Sequence, residues 1–227
     1  PMEESTIYVD QLRRLVMEGH LRGALELLNI QSGYRFTAIY RIGATHAENF
    51  MLVDRDREPA TPFTADIPLD ETYCHKVECL AALVIEDASS DPRLTTHKYR
   101  DVVRAYCSVS LLDEEGAKFG TLCQFDTAPR VTSEVTLRLM REMGSLLRSD
   151  AISTTYRRAD IDQRVDRLSG MRGMIADGAL DRNDALSTFD LYAGPLITEA
   201  TQRLPRGDAL EVSARISGIR NTLLDGR

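Results

Sequence analysis

What this chain lacks narrows its possible roles before any motif is read. No apolar run approaches the ~20 residues that a membrane-spanning helix needs, so no transmembrane segment is expected. No export leader is recognisable, and Pro1 ahead of Met2 reads as a residue left by tag cleavage. Basic residues are the minority, with 28 Lys and Arg against 35 Asp and Glu, a formal charge of −7. A general grip on nucleic acid requires many phosphates to be neutralised, so neither nucleic acid nor a membrane is an expected partner. Cysteine is scarce: Cys74, Cys79, Cys107 and Cys123 lie in apolar or strand-like settings of a chain large enough to stand without staples. Reduced thiols and a cytoplasmic location follow as expectations. Also missing are a glycine-rich phosphate loop, a His-Glu-x-x-His helix and a Gly-x-Ser-x-Gly turn. The residues of a histidine kinase, a nucleotide cyclase or a helix-turn-helix output are absent too. If Met2 to Arg227 is the whole chain, it is expected to be no enzyme and to signal by binding another protein.

What is present is the composition of a soluble globular protein, 43% hydrophobic and 28% charged. A length of 227 residues suits one ordinary domain with a substantial extension. The clearest local pattern runs from Phe119 to Phe125, where Phe119, Thr121, Cys123 and Phe125 alternate onto one strand face and Gly120, Leu122 and Gln124 onto the other. Gly120 lets a neighbouring strand or helix approach closely. Asp126 can accept backbone N–H groups in the turn that follows, and Pro129 has no donor to continue the ladder. Upstream, Tyr106–Leu112 forms a second strand, and the polar turn Asp113-Glu114-Glu115-Gly116 joins the two as a hairpin.

This hairpin, with its Gly-x-Leu-Cys-x-x-Asp-x-x-Pro-Arg ending at Arg130, resembles that of a GAF domain, the small-ligand sensor module of many signalling proteins. The resemblance continues in Tyr73-Cys74, in Val84-Ile85-Glu86-Asp87-Ala88 and in Asp91-Pro92-Arg93, and covers roughly residues 20 to 150. Ser108 and Ser110 depart from it, standing where the family often has Gly and Pro. The resemblance implies an α/β (α+β) fold: a central antiparallel sheet with terminal helices on one face and a ligand pocket under short helices on the other. Three segments are expected: an N-terminal helix over 1–19, the GAF-like sensor over 20–150, and an all-helical extension over 151–227 for dimerisation or output.

Element by element, apolar spacing predicts an opening helix from Ile7 to Leu28, interrupted or bent at Gly19. Strands follow at Arg35–Ile42 and Phe50–Val53, then a polar loop from Asp54 to Pro62. Asp70 is placed to cap a short helix carrying Tyr73, Cys74 and Val77. A strand at Ala82–Glu86 leads into the loop Asp87–His97 and a short helix Lys98–Arg104, together a candidate lid. Ser133 or Thr132 caps a helix that can extend to Tyr156, with a wide apolar stripe through Leu137, Met140, Gly144 and Leu147 as the expected dimer and readout surface. Further helices are expected over 181–201, broken near Gly194-Pro195, and over 208–224.

Ligand-pocket candidates, chosen by position, are Tyr40, Phe50, Tyr73, Cys74, His75, Asp87, Arg93, His97, Tyr99, Tyr106 and Cys123. Arg93 would meet an anionic group, the tyrosines would stack or hydrogen-bond, and Asp87 would orient a donor. Locking of the lid loop by Asp87, Asp91 and Arg93, and a core role for Tyr40, compete with those assignments. Cys74-His75 lies more than thirty residues upstream of the Tyr106 strand, unlike the pair that attaches a bilin in tetrapyrrole-binding GAF domains. Cys74, His75, Cys79 and His97 lack the close-spaced turn pairs of structural zinc sites. A single histidine, His75 or His97, is the minimum for haem; neither haem nor bilin is the expected ligand, and the cofactor stays open. The leading reading is a homodimeric regulatory protein that senses a small molecule and signals through helices to a partner protein. The alternatives are a GAF scaffold with a filled pocket and a thiol enzyme of the methionine sulfoxide reductase kind.

Overall fold

Gly19, at a φ of +78°, divides two N-terminal helices, α1 (Met2–Met17) and α2 (Leu21–Ser32). Only glycine adopts that backbone without a steric penalty, so the opening apolar pattern is cut in two there. The computed structural model describes residues 2–56, 63, 66–73, 82–148 and 154–225. These fall into two compact units, the first reaching to residue 152 and the second beginning at 153.

The first unit holds β1 (Phe36–Ile42), β2 (His46–Asp54), β3 (Ile67–Pro68), β4 (Ala82–Ile85), β5 (Ala105–Leu112) and β6 (Lys118–Asp126). They form one antiparallel sheet in the order β3-β2-β1-β6-β5-β4, with α1, α2 and α3 (Glu134–Leu146) serving one face. Ser133 caps α3 as expected, its hydroxyl accepting from the Thr136 N–H at 3.1 Å. Buried Leu137, Leu139, Met140 and Met143 seat this helix. Gly144 rests on the sheet, where an added Cβ would lie 3.2 Å from Val109. A buried amide network ties α2 to the sheet centre. Asn29 donates to the carbonyls of Tyr34 and Arg35 and to Thr37 Oγ1, and Gln124 donates to Ser32 Oγ and Thr37 Oγ1. Asp126 accepts from the N–H groups of Arg35 and Ala128 and from Arg130 Nε, which fixes the chain as it leaves β6.

Two one-residue irregularities change which side chains share a face. In β2, Met51 pairs with Ile39 and Asn49 with Tyr40, so Phe50 is an extra residue with no opposite number. In β6, Gly120 pairs with Leu111 and Lys118 with Leu112, so Phe119 is extra. A bulge of this kind reverses the alternation beyond it. Lys118 is thereby brought to the face held by Thr121, Cys123 and Phe125, contrary to strict alternation.

The second unit consists of α4 (Thr154–Ser169), α5 (Met171–Ala176), α6 (Arg182–Arg203) and α7 (Arg206–Asp225). Its own core contains Ile161, Val165, Leu168, Phe189, Leu196, Val212 and Ile216. Arg158 joins Asp162, Asp208 and Glu211 at 2.8–3.0 Å, linking α4 to α7. Among the described residues no helix is long and apolar enough to cross a membrane.

Four local expectations change. The α3 helix ends at Leu146, because Leu147 turns extended, rather than running to Tyr156. The helix over 182–203 passes through Pro195 unbroken, the surrounding packing outweighing one lost N–H. Residues 98–102 form successive turns and not a helix, with Pro92–Leu94 forming a short 3₁₀ turn ahead of them. Asp70 lies inside a 3₁₀ turn over Leu69–Glu71 instead of capping a helix, and Cys74 to Val77 lie outside the described residues.

Candidate functional site

Between the second face of the sheet and the segments around 63–73 and 97–103 lies a cavity of about 300 Å³. Alternation brings Thr121, Cys123 and Phe125 of β6, Tyr40 of β1 and Tyr106 of β5 to this face. Opposite them stand Phe63, Ile67, Leu69, Tyr73, His97, Tyr99 and Val103. Close strand approach here depends on Gly120, where a Cβ would sit 2.7 Å from the Tyr40 carbonyl oxygen. The wall is a linked set of aromatic rings. Phe63 lies 4.8 Å from Phe36 and 5.2 Å from Phe125, while Tyr73 meets His97 at 4.4 Å and Tyr106 at 5.4 Å, both edge-on.

The phenols of this wall are already engaged. Tyr40 donates to the Phe63 carbonyl and Tyr73 to that of Val103, each at 2.8 Å, and Tyr99 donates to Glu71 at 3.3 Å. Burial pushes the Tyr40 and Tyr73 hydroxyls well above the usual phenol range, so both remain neutral donors that clamp loop to sheet. Glu71 is ion-paired with Lys98, which holds its carboxyl below the ordinary range. Lys98 in turn stands 4.8 Å from the centre of the Tyr99 ring.

Of the residues singled out by sequence, Tyr40, Tyr73, His97, Tyr99, Tyr106 and Cys123 come together around this cavity. Phe50 does not line it: it is buried at the β2 bulge. Asp87 and Arg93 do not line it either, because each is committed to the loop. Asp87 accepts from the Ser89 N–H and hydroxyl and from Arg104 Nε and Nη2. Arg93 is spent on Asp91, reached through its own N–H and its guanidinium, and on the Val84 carbonyl. Cys74 and His75 lie outside the described residues, as does Cys79. Cys107 is on the helix-facing side, 3.5 Å from Met140 Sδ, and burial pushes its thiol up to about 12, the opposite of what a nucleophile needs. Among the described residues no group of three His, Cys, Asp or Glu side chains is placed to hold a metal ion.

Sequence reasoning did not find Phe63, Glu71, Thr72 or Lys118. Phe63 follows a Pro-rich polar stretch with no periodicity to betray it. Lys118 is masked by the β6 bulge: uninterrupted alternation would set it with Gly120 and Leu122 on the helix side.

No protein-family model and no curated protein matches the chain by sequence. Solved structures do match it, and they define the class: the first unit has the GAF-domain fold. The GAF domain of an Acinetobacter phosphoenolpyruvate-protein phosphotransferase aligns with a TM-score of 0.51 at 17% identity, over 64% of this chain and 92% of that one. The chromophore-binding domain of a bacteriophytochrome from R. palustris aligns at 0.52 and 13% identity, over 64% and 59%. That of Stigmatella aurantiaca phytochrome P1 aligns at 0.50 and 14%, again over 64% and 59%. The chain thus spans little more than half the length of those phytochrome fragments.

Proposed function

We propose that the first unit is a sensory or regulatory module that binds a small molecule in the aromatic cavity. The observation that carries this reading is the cavity itself: about 300 Å³ of space left open where the fold could have closed it with side chains. A concave recess of this size with aromatic walls has the form of a small-molecule site, which favours a ligand over a filled scaffold. Its volume stands at the lower end for small-molecule sites and suits a compact ligand better than a tetrapyrrole.

Readout falls to surfaces the core leaves uncovered. The α3 stripe is consumed by α1, α2 and β5, leaving Val135 exposed, while the helical unit exposes Leu191, Leu210 and Leu224. These apolar positions are the contacts we assign to a homodimer or to a signalling partner protein. Native mass spectrometry of the untagged protein, with an absorbance scan, tests the reading: mass lost on denaturation, or taken up from a small-molecule library, is expected. Cys123→Leu, which pushes two further side-chain atoms into the cavity, should weaken that uptake while the circular dichroism spectrum stays unchanged. Equal uptake by wild type and Cys123→Leu would remove the cavity as the site.

A further inference from the structure

The polar groups of the cavity wall fall into two sets, those already used and those left over. Tyr40, Tyr73 and Tyr99 donate within the wall, and Glu71 is neutralised by Lys98. Lys118 borders the same cavity, and among the described residues its ammonium has neither an ion pair nor a side-chain hydrogen bond. The Thr121 hydroxyl is likewise unused there. The chain contains three lysines, Lys76, Lys98 and Lys118, against twenty-five arginines, so a lysine at a cavity edge is not a sample of a lysine-rich surface. It reaches this face because Phe119 is the extra residue of a bulge, and bulges next to sites re-aim side chains.

The strand registers also order the cavity lengthwise. At one end Phe125 pairs with Tyr106, close to Phe63. At the other, Ile42 pairs with Ala47, which pairs with Ile67, and Lys118 lies at the start of β6 beyond Gly120 and Thr121. One end is aromatic, and the other is aliphatic with a single uncommitted positive charge.

Resting on the cavity being the ligand site, we propose that its ligand is an amphipathic monoanion, with a ring-bearing apolar body toward Phe63, Tyr106 and Phe125 and a carboxylate-type head held by Lys118. An ammonium in a partly desolvated site gives a charge-assisted bond that a neutral head cannot replace. Lys118 is then the residue that selects ligands by charge, and the aromatic wall selects them by shape.

The test is calorimetric titration of the full chain with 4-phenylbutyrate and with its neutral amide. Wild type should bind the carboxylate at least about tenfold more tightly than the amide. Lys118→Met should erase that preference while keeping the amide affinity, which shows that the site is still folded, and Lys118→Arg should restore it. Equal affinity of wild type for the two probes, or an unchanged preference in Lys118→Met, overturns the charge assignment alone. Binding undiminished by Cys123→Leu overturns the cavity as the site and this inference with it, whereas no binding of either probe to wild type overturns the amphipathic-monoanion assignment.

Discussion

Asp87 shows how a single side chain can be placed for structure where its position in the sequence points to a ligand. Its two oxygens receive four donors from Ser89 and Arg104, so the carboxylate closes the loop that follows β4. Hydrogen bonds from Ser89 and then from Arg104 hold its carboxyl below the ordinary range. A carboxyl depressed in the folded state contributes stability that is present above its unfolded value of about 3.9 and is lost as pH falls through the lower folded value. Asp87→Asn should therefore be less stable than wild type at neutral pH, and the gap should close as the pH drops below about 3.9. Urea titrations at pH 7, 5 and 3 measure it; a gap that persists undiminished at pH 3 would show that the carboxylate charge is not what holds the loop. Arg93 follows the same logic, since an arginine locked bidentate on Asp91 is a poor candidate to meet a ligand.

Among the elements, α3 depends most clearly on a short local signal. Ser133 accepts the Thr136 N–H, and Glu134 places a negative charge in the first turn, where the helix dipole favours it. Ser133→Ala should cost about 1 kcal/mol, read as a lower midpoint in chemical unfolding, with Ser133→Asp restoring it. The bulges in β2 and β6 are elements of another kind. Each depends on how two strands pair, and each decides whether a residue faces the helices or the cavity.

On the scale of the whole molecule, each of the two units has buried apolar residues of its own. Phe189 is fully buried in the helical unit, among Ile161, Val165 and Val212. Its replacement by Ala should destabilise that unit by about 3–5 kcal/mol. Hydrogen exchange should then show lost protection in α4, α6 and α7 and unchanged protection in β1, β5 and β6. Simultaneous loss in the strands would mean that the two units unfold as one.

The antiparallel hairpin of β5 and β6, the Ser133 cap, the division at Gly19 and the helical character of the last third were all legible in the sequence. Each rests on interactions between residues a few positions apart: side-chain alternation, one hydroxyl reaching one N–H, one backbone angle that glycine tolerates. Of the eleven proposed pocket residues, Tyr40, Tyr106 and Cys123 reach one sheet face by the same alternation, while Tyr73, His97 and Tyr99 meet them from the segments opposite. What the tertiary structure alone decided is where that alternation fails and what each polar group meets. Phe50 is left out of the cavity and Lys118 is brought to it because a bulge exists only once a partner strand has set the register. Arg93 and Asp87 were withdrawn from the cavity by partners that their own sequence positions do not reveal. The continuity of α6 through Pro195 has the same origin, since tertiary packing outweighs one missing donor. Local chemistry specified the elements, and long-range pairing specified which of their side chains remain free to meet a ligand.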